Sequence, residues 1–209
     1  ELILSAIIER LNVRNVYLGY FLEAFVVAGL TEETCKFLFL RTTWRNPAFD
    51  YQFDAIVYAV MVALGFAAFE NVKYVYSYGF ATGIVRAVTA VPGHAIFGVF
   101  MGYFYGYAKL SDYWGRDDDR KAYLALSVVV PVLMHGCYDF LAFTQESDSR
   151  FTLLFYAYLV ALYVFGIRRV NRSSRDDRRV TRETVFDYFR RMQYPMPPQY
   201  RDRNDDFWR

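Results

Sequence analysis

Histidine and cysteine are scarce in this chain, with two of each among 209 residues. Cys35 and Cys137 lie inside apolar runs, which excludes a disulfide framework and leaves each thiol as a small packing group. Cys137 stands two residues from His135, but residues two apart on a helix do not face each other, so a thiol nucleophile paired with that imidazole is disfavoured. Neither sign of charge is in excess: 24 basic residues against 22 acidic ones leave a net charge of +2. The arginines gather in short blocks between apolar runs and not along one face, which argues against a nucleic-acid partner. An initiator methionine is also missing, and we expect further sequence, a signal peptide or earlier membrane segments, ahead of Glu1.

What is abundant is hydrocarbon. Hydrophobic residues make up 55% of the chain and aromatic ones 20%, above the usual share for a soluble domain. The mean hydropathy of only +0.09 averages these runs with 19 tyrosines and a charged tail. Five runs are long enough to cross about 30 Å of hydrocarbon as helices. They extend from Val16 to Leu40, Phe53 to Tyr78, Gly83 to Leu110, Tyr123 to Phe143 and Phe151 to Ile167. The predicted fold is therefore an all-α, polytopic transmembrane bundle. Residues 1–15 read as an interfacial helix, 16–170 as the membrane core, and 171–209 as a charged tail. Within the tail, Val185, Phe186, Phe189 and Met192 form one stripe of a short amphipathic helix that Thr181 could cap. Lys and Arg favour the loops at Arg41 to Arg45, Lys109 to Lys121 and Arg168 to Arg175, so the positive-inside rule predicts a cytoplasmic tail in a multi-pass protein of the cell membrane.

Against this apolar background a few ionisable residues stand out. Each charge at a helix centre costs about 2.5 to 3.5 kcal/mol on insertion scales, so Glu32, Glu33, Lys36, Glu70 and Asp139 are expected to face one another. Both histidines, His94 and His135, fall in spanning runs as well. His135 and Asp139 are four apart, as are Glu32 and Lys36, and each pair shares a helix face. Glu32 and Glu33 point about 100° apart, so one reaches a reacting centre while the other braces it. Gly98, Gly102 and Gly106 follow His94 at steps of four and form a smooth stripe, which predicts a central position for the third run. A carboxylate beside an imidazole can make a water nucleophilic, and a second imidazole can hydrogen-bond an oxyanion. Amide hydrolysis is the natural reading. A proton-coupled transporter or channel using the same Glu, His and Asp cluster is the alternative, as is a non-catalytic receptor.

The segments "EETCK" at Glu32, "FENVKY" at Phe69, "HAIFG" at His94 and "HGCYD" at His135 resemble, in order and spacing, the four motifs of the PrsW family of membrane proteases. That family is related to the CAAX prenyl endopeptidase and bacteriocin-processing superfamily. The resemblance covers Ala24 to Phe143 and implies an intramembrane protease that cuts membrane-anchored protein substrates. It implies that Glu32 and His94 activate water with support from Glu33, and that His135 and Asp139 form the oxyanion-binding side. Asp139 stands where related enzymes often carry asparagine, so it donates a hydrogen bond only when protonated and can instead orient His135. Glu70 and Asn71 take supporting or metal-ligand roles, and Lys36 a supporting one. Two histidines with Glu70 or Glu33 could also hold zinc, although the HExxH signature is missing. The preferred reading is glutamate catalysis with no required cofactor, with zinc as the alternative.

Overall fold

A computed structural model describes residues 15–180, apart from the side chain of Glu146. The predicted interfacial helix over 1–15 lies, but for its last residue, outside the described residues, and so does the predicted amphipathic helix of the tail.

The first apolar run is helical from Val16 to Arg41 but not uniformly so. An α-helix, α1 (Val16–Leu22), opens on the Asn15 side chain, which accepts hydrogen bonds from the Tyr17 and Leu18 amides. It widens into a π-helical segment, Glu23–Leu30, and then continues as α2 (Thr31–Arg41). The remaining helices are α3 (Asp54–Tyr78), α4 (Phe80–Val88), α5 (Ala90–Tyr113), α6 (Asp117–Ser147) and α7 (Arg150–Arg175). Among the described residues, four spans are by themselves long and apolar enough to cross a membrane: α3, α4 with α5, α6, and α7. The first of the five predicted runs is not one of them. Glu23, Glu32, Glu33 and Lys36 lower its hydropathy, and its charged groups turn into the bundle.

The third predicted run is likewise not one straight helix. It breaks at Thr89, and Pro92 lies in the first turn of α5, where it has no N–H to give to the Val88 carbonyl. The Tyr163 hydroxyl from α7 donates to the Val88 carbonyl at 2.7 Å and the Thr89 carbonyl at 3.3 Å, so the groups left at the break are satisfied from across the bundle. Pro131, by contrast, sits inside α6 without ending it.

The glycine stripe of α5 meets α3 at very close range. A Cβ on Gly102 would lie 2.5 Å from the Ala55 carbonyl oxygen, and one on Gly98 would lie 2.9 Å from the Ala63 methyl. Apolar layers fill the space on either side of this seam. At one end Leu40, Phe49, Met101, Tyr105 and Val180 pack together; nearer the other, Phe97, Tyr138, Phe155 and Leu159 do so. After α7 the chain returns to the start of α3: Tyr51 and Arg179 form an antiparallel bridge, the Gln52 amide donates to the Arg178 carbonyl at 2.7 Å, and the Val180 amide donates to the Asp50 carbonyl at 2.8 Å. Asp177 caps the start of α3 by accepting from the Phe53 amide, and burial raises its carboxyl above the ordinary range against the opposing pull of those amides.

Candidate functional site

The polar residues that the sequence scatters over four runs converge in one cluster. Glu32, Glu33, Lys36, His94 and His135 are all buried, none more than 4% exposed. The π-helical segment makes this possible by bringing the first run against α6. A Cβ on Gly29 would lie 3.1 Å from the Val132 carbonyl, and Gly136 receives the Phe25 ring on its open face. With the helices this close, Glu33 on α2 reaches His135 on α6.

Glu33 is the hub. Its Oε1 accepts from Lys36 Nζ at 2.6 Å and lies 2.9 Å from His135 Nδ1. Its Oε2 has no hydrogen-bond partner among the described residues. Lys36 Nζ also lies 2.8 Å from His94 Nδ1 and 3.7 Å from Glu32 Oε2, so one ammonium joins both carboxylates to the first histidine. Because an ammonium only donates, His94 Nδ1 is the acceptor, and the ring proton sits on Nε2, 2.9 Å from Glu70 Oε2. His135 faces carboxylate oxygens at both nitrogens, with Asp139 Oδ2 at 3.2 Å from Nε2. The two imidazoles stand perpendicular, ring centroids 5.2 Å apart, and Phe97 stacks on His135.

A cavity of about 250 Å3 opens beside this cluster. Glu32, Glu70, His94, His135 and Asp139 line it, whereas Glu33 and Lys36 do not and lie behind its wall. The sequence-predicted pair thus divides as its 100° separation requires. Asn71 turns elsewhere: its Nδ2 donates to the Gly83 carbonyl at 3.4 Å and fastens α3 to α4. Neither Cys35 nor Cys137 lines the cavity, and both thiols are free.

Two residues of the site escaped the sequence reading. Arg86 on α4 pairs with Glu70 Oε2 at 2.9 Å and lies 3.7 Å over the Tyr74 ring, and both Arg86 and Tyr74 line the cavity. Signals for both were present. Arg86 is a lone charge in the apolar stretch "GIVRAVTAV", and Tyr74 stands four residues after Glu70 on the same helix face.

As a donor set, one atom each from Glu32, Glu33, His94 and His135 all lie within 4.8 Å of one another. Two imidazoles with carboxylates are ligands that a catalytic zinc accepts.

Comparison with known proteins identifies a family for the chain. The profile of the PrsW family intramembrane metalloproteases matches residues 2–167. Protease PrsW of Bacillus subtilis is 37% identical over 164 residues, covering 78% of this chain and 72% of that protein. Protease PrsW of Oceanobacillus iheyensis is 36% identical over 159 residues, covering 76% and 70%. That of Clostridioides difficile is 30% identical over 184 residues, covering 86% and 75%. No solved structure matches the chain. With its bundle of apolar spans and a family match over most of its length, the chain belongs to the PrsW family of intramembrane proteases, multi-pass membrane peptidases whose substrates are proteins held in the bilayer.

Proposed function

We propose that Glu32 and His94 activate the hydrolytic water in this protease, and that Glu33, Lys36 and Glu70 hold them in place. The observation that carries this reading is the division of the two glutamates: Glu32 lines the cavity while Glu33 is buried behind it with Lys36. Glu32 takes a proton from the water as the water oxygen bonds to the scissile carbonyl carbon, and it returns that proton to the leaving nitrogen as the C–N bond breaks. His94 orients the water through its Nε2–H, which the water shares with Glu70 Oε2 at the cavity wall. His135 stabilises the carbonyl oxygen as it gains charge, through the Nε2–H that otherwise faces Asp139. The 3.2 Å contact to Nε2 supports an orienting role for Asp139, in which it sets the direction of the His135 ring.

A second reading has its own support. Glu32, Glu33, His94 and His135 fit zinc as a donor set, with His94, His135 and Glu33 as its ligands, while Glu70 stands outside that set; the unpartnered Glu33 Oε2 is a free lone-pair site. Zinc there would supply Lewis acidity toward the scissile carbonyl. We prefer the metal-free mechanism because the Lys36 ammonium already bonds Glu33 and His94, two of those ligands, and a second cation at the same atoms would be repelled.

The test is cleavage of a single-span membrane substrate by the reconstituted protein, read as new peptide termini, for wild type, Glu32→Gln and His94→Ala, each with and without a chelator. Glu32→Gln and His94→Ala are expected to lower the rate by at least about 100-fold, and chelation to leave wild type unchanged. Loss of wild-type activity on chelation, restored by zinc, would establish the metal reading instead. Undiminished cleavage by either variant would remove that residue from the mechanism.

We also propose that the carboxy-terminal end of α7 faces the cytoplasm. Support comes from the basic residues at one end of the bundle, including Arg41, Arg45, Lys109, Lys121 and Arg175, against Lys73, Arg86 and Arg150 toward the other.

A further inference from the structure

A second cavity, of about 290 Å3, lies at the far end of the bundle from the glutamates, where the last turns of α7 pass the start of α3. Its wall carries three guanidinium groups, Arg169, Arg172 and Arg178, among the hydroxyls of Tyr103, Tyr107 and Ser173. Among the described residues Asp176 is the one carboxylate on that wall, 3.6 Å from Arg172 Nε, so positive charge prevails there. Arg169 is held by packing over the Tyr103 ring at 4.1 Å, and among the described residues neither it nor Arg178 has an acidic partner.

An apolar groove of about 400 Å3 borders this cavity and shares Phe53 and Ile56 with it. The groove runs between α3, α5 and α7 past Val57, Met61 and Ile167, which are 44%, 66% and 62% exposed. Along α7 the groove is lined by Gly166, Ile167, Val170 and Asn171, and from Arg169 onward the neighbouring face of the helix turns basic, with Arg169 and Arg172 in the cavity. Such a change marks the boundary between hydrocarbon and headgroups. Guanidinium forks suit phosphate oxygens, and an adjoining apolar trough suits an acyl chain.

We propose that this cavity and groove together bind one anionic glycerophospholipid, its phosphate on Arg169, Arg172 and Arg178 and an acyl chain along Val57 and Met61. A water-soluble phosphate compound could use only half of the site, because the groove opens onto lipid. The occupied site would join α3, α5 and α7 at an end of the bundle remote from the scissile bond.

Native mass spectrometry of the full-length protein in detergent, with phosphatidylglycerol or phosphatidylcholine added, tests this directly. The expected result is one retained phosphatidylglycerol per chain, in preference to phosphatidylcholine, with a raised unfolding temperature. Replacing two arginines together, Arg169→Gln with Arg178→Gln, should weaken retention at least about tenfold, and Val57→Trp should weaken it by occupying the groove. Arg169→Lys with Arg178→Lys, which keeps the charge, should retain most of the preference and guards against a folding artefact. Glycerol 3-phosphate should fail to displace the lipid. Equal retention of the two lipids, unchanged retention in the Gln pair, or displacement by glycerol 3-phosphate would each overturn the proposal. So would the lack of any retained lipid.

Discussion

Arg86 shows what a single side chain contributes here. Glu70 accepts from His94 on one side and is neutralised by Arg86 on the other, both at 2.9 Å, so the arginine acts on the site through a carboxylate that it shares with the histidine. Removing it leaves a half-buried carboxylate without its cation and frees the histidine to turn. Arg86→Leu should slow single-turnover cleavage about tenfold, roughly 1.4 kcal/mol in the barrier, while Arg86→Lys should recover part of the loss. An unchanged rate would mean that α4 has no part in positioning His94. At this scale the sequence was informative about which residues meet: a buried charge in an apolar run must find a partner, and Glu32, Glu33, Lys36, Glu70, His94, His135 and Asp139 do meet. It was silent on which atom faces which. That Lys36 Nζ sits between the two glutamates and His94 depends on distances between helices, which no spacing along one helix encodes.

Among the helices, α5 is the one on which packing and chemistry depend together, since it carries His94 near its start and the glycine stripe beyond it. Gly102→Ala would drive a methyl to 2.5 Å from the Ala55 carbonyl, forcing α3 and α5 apart at a cost of about 1 to 3 kcal/mol. Gly65→Ala on α3, where nothing lies within 4 Å, should be neutral or mildly stabilising. Unfolding temperatures in detergent compare the two, and an equal response would show that the seam is not closely packed. The stripe could be read from sequence because small residues at steps of four leave a visible pattern. The π-helical segment could not, because "EAFVVAGL" carries no proline or other marker of an extra residue per turn. The break at Thr89 was only half visible: Pro92 announces a disturbance, but the hydroxyl that satisfies it comes from Tyr163, more than seventy residues later.

At the scale of the bundle, the four spans among the described residues make an even number of crossings, so the start of α3 and the end of α7 share a side. A fluorescent-protein fusion after Arg209 should fluoresce and an alkaline phosphatase fusion there should stay inactive if that side is cytoplasmic; the reverse pattern would invert the topology. The bridge between Tyr51 and Arg179 lies on this side, and the glutamate cavity opens toward the other, where α3 ends and α5 begins. The chain at the start of the first span and after the last is thus joined by main-chain hydrogen bonds at the rim away from the glutamates. The main-chain clasp and the glutamates stand at opposite rims, so the short α4 that walls the cavity can vary without touching the hydrogen bonds that tie the outer spans together.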